Sequence, residues 1–355
     1  MPSIIVRAGA AALTACWLSL GAAQQPAAPL TEPGKLPATN EAAQRQQERQ
    51  QTQPLNNAPV WKEIRSGEPR YTTTTVVGRE TDVLIHPEGQ TWRAARVPLA
   101  TIGGFLFVAG LFVFLAFYLW RGPIRLHGTP TGRLIERFSV IERTVHWTVA
   151  ISFTLLGITG LILTFGKTVL LPLVGYTLFS WLATASKNLH NFIGPVLVVV
   201  LPIMIVLFMH SNLPRKGDGL WLRKLGGMLS GEHVPADKAN AGQKILFWLM
   251  VVLLGLTLCV TGLILDFPNF NQTRQTMQIA NVIHLVAGIG ALILLTGHIY
   301  LGTIGMQGAW EAMRYGYVDE TWAREHHEYW YNDVMSGREP YATEPPPASI
   351  RHRVA

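Results

Sequence analysis

Apolar residues along this chain gather into five long runs, at about 99–119, 145–165, 191–209, 245–267 and 278–300, with polar stretches between them. Each run approaches the roughly 20 residues that an α-helix needs to cross about 30 Å of hydrocarbon. The pattern therefore predicts five membrane-spanning helices. A sixth run, 169–183, is shorter and contains Pro172, and it reads as an interfacial helix rather than a span. The first of the five carries Gly103, Gly104 and Gly110 and no ionisable side chain, which suits a tether. The expected fold is an all-α membrane protein: a four-helix bundle over residues 133–305 with one extra N-terminal span over 98–120.

The polar stretches set the rest of the organisation. Residues 1–23 have the charge order of a secretory signal, with Arg7, an apolar core from Ala8 to Leu20 and small residues Gly21, Ala22 and Ala23. Cys16 follows Leu13-Thr14-Ala15, so lipid attachment there is a competing reading. Residues 24–97 form an N-terminal segment whose first part, rich in Gln, Pro and Ala, predicts disorder. Residues 306–355 form a C-terminal segment after the last span. Basic residues concentrate in two loops: Arg121, Arg125, Arg133, Arg137 and Arg143 in the first, and Arg215, Lys216, Arg223, Lys224, Lys238 and Lys244 in the second. The loops on the other side hold Lys167, Lys187 and Arg274. Cytoplasmic loops carry the excess of Lys and Arg, so the N-terminal segment is expected in the periplasm and the C-terminus in the cytoplasm of a bacterial inner membrane.

Composition agrees with a lipid-embedded chain. The sequence is 49% hydrophobic and 14% charged, against about 25% charged in soluble proteins. Its net charge of +7 does not point to nucleic acid, because the basic residues flank apolar runs. Two cysteines, Cys16 and Cys259, cannot build a zinc or iron–sulfur ligand set. Any redox group must be held by other ligands.

Histidines are the candidates. Four of the eleven lie within the spans or at their edges: His146, His190, His284 and His298. Ionisable groups at such depths are functional hypotheses by default. His284 and His298 are 14 residues apart on the last span, so they share one helix face about 21 Å apart along the axis. By depth, His190 pairs with His284 toward the outer side, and His146 with His298 toward the cytoplasm. Each pair would supply two axial imidazoles to one haem. The residues at i+4 are Ala150, Gly194, Gly288 and Gly302, small enough for a porphyrin to lie against the helix. His210 is followed at i+4 by Pro214 and faces away. Two haem b groups with bis-histidine ligation transfer electrons, since no iron position stays open. Arg143, Lys187 and Arg274 lie near haem level, as propionate partners or as snorkelling interface residues.

Several segments resemble the gamma subunit, cytochrome b556 type, of membrane-bound formate dehydrogenase. They are Arg137-Phe138 with Glu142-Arg143-Thr144-Val145-His146-Trp147, Leu189-His190-Asn191-Phe192-Ile193-Gly194, Asn240-Ala241-Gly242-Gln243-Lys244 with Phe247-Trp248, His284 with His298, and Trp322-Ala323-Arg324-Glu325-His326-His327 with Trp330-Tyr331. The resemblance covers a little over half the chain. It implies an electron-transfer subunit with no catalytic formate site of its own. Its partners would be an iron–sulfur beta subunit and a molybdenum or tungsten alpha subunit, besides membrane lipids. Electrons would pass from the outer to the inner haem and on to a quinone, menaquinone or ubiquinone, at the cytoplasmic side. Carried over, Asn240, Gly242, Gln243 and His298 form the quinone site. Asn240 and Gln243 supply amide donors for the quinone carbonyls, and Lys244 a charge for the reduced form. His326 and His327 read as part of an interfacial segment. Two other readings compete: the cytochrome subunit of a nickel–iron hydrogenase or another periplasmic dehydrogenase, and a haem-free anchor or transporter with histidines as proton relays.

Overall fold

A computed structural model describes residues 48, 51, 52 and 87–338. The expected signal peptide over 1–23 and most of the segment 24–97 lie outside the described residues. Contacts divide the chain after Pro98, and every element that carries chemistry belongs to the part beyond it.

Five helices are long and apolar enough to span a membrane, among the described residues. Helix α1 is Pro87–Arg121, longer than the apolar run that predicts it. Its glycines are packing surfaces: a Cβ on Gly103 would collide with Ile289, and Gly104 and Gly110 lie against Phe165 and Ile293. The first span is thus fitted to the bundle more closely than a tether requires.

Strand β1 (Leu134–Glu136) leads into α2 (Val140–Val169). Ser139 and Glu142 close the start of α2 with a reciprocal capping box, which satisfies two otherwise orphaned backbone donors. Helix α3 is Leu171–Met209. Here the structure departs from the reading of 169–183 as a separate interfacial element. Pro172 stands in the first turn of α3, where its fixed φ favours a helix and its missing N–H costs nothing. The break is instead at Gly175, with φ 76° and ψ 172°, a backbone region open to glycine. From there the helix runs unbroken through Pro195 and Pro202, and α2 and α3 form one antiparallel hairpin.

After α4 (Asp218–Arg223), the fourth span is built in three pieces: α5 (Ala241–Leu246), a π-helical stretch Phe247–Gly255, and α6 (Leu256–Asp266). Helix α7 (Arg274–Gly302) returns antiparallel to it, with Leu254 beside Gly290. The bundle core is Val149 and Phe153 of α2, Leu197, Leu201 and Ile205 of α3, Phe247 and Met250 of the π stretch, and Ala291 and Leu295 of α7. Ala291 is fully buried and lies midway between His284 and His298.

The last span is followed by a small cap: α8 (Ala309–Tyr315), strand β2 (Tyr317–Asp319), α9 (Glu320–His326) and α10 (Glu328–Met335). Strands β1 and β2 pair antiparallel, Ile135 opposite Val318. A second apolar cluster forms around Ile135, Val318, Trp322, Ala323 and Trp330. Into it reaches Arg137, 4% exposed. Its guanidinium lies 4.7 Å from the ring centre of Trp322 and 5.8 Å from that of Trp330, and it donates to the Lys238 carbonyl at 2.7 Å. Burial pulls this guanidinium down to about 9. The aromatic faces compensate part of that cost.

In this cap Trp322, Trp330 and His327 are buried, where the sequence suggests an interfacial segment around His326 and His327. His327 is 1% exposed and donates from Nδ1 to the Asp237 carbonyl. It is a hydrogen-bonded core residue, brought inside by contacts between segments far apart in sequence.

Candidate haem-binding site

The structure brings the four singled-out histidines together as two pairs. The ring centres of His190 and His284 are 6.2 Å apart, and those of His146 and His298 are 6.1 Å apart. An iron bonded at about 2 Å to the nitrogen of each of two trans imidazoles puts their ring centres about 6 Å apart. Both spacings match that value. Among the described residues no group of three or more metal-ligating side chains comes together. Two imidazoles alone would leave a bare metal short of ligands, whereas a macrocycle brings four nitrogens of its own. His210 opens a short turn at the end of α3 and is exposed.

The surroundings of the small residues are compatible with a flat ligand. At Gly194 and at Gly302, nothing lies within 4 Å of where a Cβ would stand. At Gly288 such a Cβ would meet Leu258 in ordinary contact, at 3.8 Å. Ala150 is half-buried on α2. His146, His190 and His284 are half-buried, while His298 has more of its surface exposed.

Around the His190–His284 pair the structure shows residues that the sequence reading missed. Thr159 Oγ1 lies 2.8 Å from Nδ1 of His190, and Thr261 Oγ1 lies 2.9 Å from Nδ1 of His284. Each hydroxyl also meets a carbonyl one turn back in its own helix, Leu155 at 2.8 Å and Thr257 at 2.6 Å. The residue after each threonine is a glycine whose Cβ position is 3.5 Å from Cε1 of the same imidazole: Gly160 for His190 and Gly262 for His284. The signal lies in the sequence as a repeat. Thr159-Gly160-Leu161-Ile162-Leu163 recurs as Thr261-Gly262-Leu263-Ile264-Leu265, each on the first helix of a hairpin whose second helix carries the histidine. The other pair has no such framing. Nδ1 of His146 is buried with no hydrogen-bond partner among the described residues. That end is tied to the cap instead: Arg143 Nη1 donates to the Arg314 carbonyl at 3.0 Å, and Trp147 Nε1 to the Met313 carbonyl at 3.1 Å.

The segment from Asn240 to Lys244 stands at the end of the bundle to which His298 belongs, because α6 and α7 are antiparallel. Asn240 is the N-cap of α5: its side-chain oxygen accepts from Gln243 N at 2.9 Å, and the Gln243 side-chain oxygen accepts from Asn240 N at 3.0 Å. Both amide oxygens are thus committed to the cap, which leaves both amide nitrogens as the groups able to donate to a ligand. Gly242 lies against Trp221, whose ring a Cβ would strike. Lys244 differs from its expected role. It is buried, and its ammonium sits 3.0 Å from both carboxylate oxygens of Asp218. A buried ammonium without such a partner would be costly, and the pair commits this charge to holding α5 against α4.

Comparisons with known proteins bear on what these sites hold. A family model described as prokaryotic cytochrome b561 matches residues 137–316. The nitrate-inducible formate dehydrogenase cytochrome b556(Fdn) subunit of Escherichia coli (strain K12) is 33% identical over 213 residues, covering 57% of this chain and 92% of that protein. The formate dehydrogenase cytochrome b556(fdo) subunit of the same strain is 29% identical over 214 residues, covering 58% and 95%. The formate dehydrogenase cytochrome b556 subunit of Haemophilus influenzae is 29% identical over 215 residues, covering 57% and 84%.

Proposed function

From the premise that this chain belongs to the prokaryotic cytochrome b561 family, and so to a family of haem b proteins, we propose that it is the membrane cytochrome b subunit of a formate dehydrogenase complex. It holds two b haems and carries electrons from a periplasmic iron–sulfur subunit to a quinone at the cytoplasmic side. The observation that carries the two-haem reading is the pair of imidazole spacings, 6.1 and 6.2 Å. The choice of formate rests on the relatives, which are cytochrome subunits of formate dehydrogenases. The reaction at formate belongs to a molybdenum or tungsten subunit, and this chain supplies no group to it.

His190 and His284 would hold the outer haem, and His146 and His298 the inner one. A haem iron ligated in this way takes up and releases one electron without binding a substrate. Gly194, Gly288, Gly302 and Ala150 leave room for the macrocycles against the helices. The core from Val149 to Leu295 keeps water from the space between the sites. Asn240 and Gln243 orient the quinone with their amide nitrogens beside His298, and Gly242, between them, holds this turn against the Trp221 ring. The basic loops orient the chain in the inner membrane, with residues 24–97 in the periplasm and the C-terminus in the cytoplasm.

A redox-titrated visible spectrum of the purified complex, with its haem-to-protein ratio, tests this reading. Two low-spin b haems per chain, reduced by formate and reoxidised by a quinone, are expected. Absence of haem would overturn the cytochrome assignment. Two haems inert to formate would overturn the choice of complex.

A further inference from the structure

We propose that Thr159 and Thr261 set the redox order of the two sites. By accepting a hydrogen bond from Nδ1 of each outer-haem imidazole, they make both axial ligands stronger donors and hold the outer haem at a lower potential than the inner one. The inference rests on the ligand pairing given above.

The argument starts from the hydroxyls. A threonine hydroxyl has one proton. In Thr159 it goes to the Leu155 carbonyl and in Thr261 to the Thr257 carbonyl, the usual outlet for a threonine inside an apolar helix. Thr144, Thr148, Thr257, Thr296 and Thr303 do the same, so that bond alone marks nothing. Thr159 and Thr261 are set apart because, among the described residues, theirs are the hydroxyls that also meet a histidine ring. With its proton spent, each oxygen can only accept from the ring. The contact therefore requires Nδ1–H, and that tautomer leaves the Nε2 lone pair free for a metal. Gly160 and Gly262 let each ring come close to the helix backbone, which fixes its rotation.

An imidazole whose N–H is given to an acceptor is more basic at its other nitrogen, and this favours the oxidised iron. Both ligands of the outer site have this support. At the inner site, Nδ1 of His146 is buried without a partner among the described residues. The potentials should differ in the direction that moves an electron from the outer to the inner site. One electron leaves the reduced outer iron and reduces the oxidised inner iron; no bond breaks and no proton moves.

The experiment is a redox titration of the haem bands in the intact complex, for wild type, Thr159→Val, Thr261→Val, the double variant, and Thr159→Ser with Thr261→Ser. Valine keeps the shape and removes the acceptor; serine keeps the acceptor. Each valine variant is expected to move the same, lower-potential component to a more positive potential. The double variant should move it further and narrow the gap, and the serine variants should titrate like wild type. Unchanged potentials in the single valine variants, a shift shared by both components, or two threonines acting on different components would each overturn the proposal. Should the double variant lose haem, the single variants decide the matter by the same criteria. If wild type itself carries no haem, the proposed function fails; two haems with potentials indifferent to these threonines would sink this inference alone.

Discussion

The two histidine pairs have nearly the same spacing but differ in what surrounds them. His190 and His284 are held from inside the bundle, by a Thr-Gly pair on each of the two helices facing them. His146 and His298 stand at the end where the cap closes the bundle, with Nδ1 of His146 unpartnered and with Arg143 and Trp147 anchored to α8 backbone carbonyls. The first site repeats its framing on two hairpins, as Thr-Gly-Leu-Ile-Leu. The second draws one ligand from the first helix of one hairpin and the other from the second helix of the next, so no repeated element can frame it. It depends on segments 123–138 and 305–338 folding together outside the apolar spans. One site is therefore defined by membrane helices alone, and the other also by the cap.

The largest effect should come from ligand removal. His284→Ala is expected to abolish one of the two haems and leave the other, halving the haem measured by pyridine haemochrome. Loss of both, or of neither, would break the comparison at its root. Next, Gly302→Leu fills space that no protein atom occupies within 4 Å. The protein should fold normally but lose a large share of the His146–His298 haem, read as one missing component in a redox titration. Asn240→Ala should keep both haems and slow quinone reduction several-fold, seen in stopped-flow reoxidation of the reduced haems by a quinone analogue. An unchanged rate would remove Asn240 from the site.

The smallest effect is on pH dependence. Burial lowers the His326 imidazole to about 4, while the same side chain in an opened cap titrates near 6.5. As pH falls from about 6.5 toward 4, the opened state takes up a proton that the closed state refuses. Cap stability therefore declines across that window, and the buried His327, held well below its ordinary value, adds to the decline. Limited proteolysis should accelerate in residues 305–338 over that range and perturb the inner haem band before the outer one. The His326→Gln variant should lessen the dependence, the remainder coming from the buried His327.

The spans and the histidine pairs were legible because helix periodicity and depth in a bilayer reduce to counting along the chain. The small i+4 neighbours followed from the same periodicity. Asn240 to Lys244 was readable as a helix start, and Asn240 is an N-cap. What escaped depends on contacts distant in sequence. Nothing local joins Lys244 to Asp218, or Arg137 to Trp322 and Trp330, so the cap looked like an interfacial strip. The run 169–183 looked like a separate interfacial helix, although Pro172 stands in a first turn and the chain passes from Gly175 into the span. Thr159 and Thr261 were visible as a repeat, but a threonine in an apolar helix ordinarily satisfies itself on its own backbone. Only the fold shows that these two hydroxyls also meet the facing imidazoles.

The π-helical stretch Phe247–Gly255 has a consequence of its own. A π turn amounts to one residue inserted into an α-helix, its bonds reaching one position further along. This stretch separates the Asn240 cap from Thr261-Gly262, so it works as a phase shifter between the two ends of the span. Ordinary α bonding through the same residues would rotate one end against the other by about 100°. Either the cap would turn away from the His298 end or Thr261 would turn away from His284. The extra residue is what allows a single helix to address both ends of the bundle.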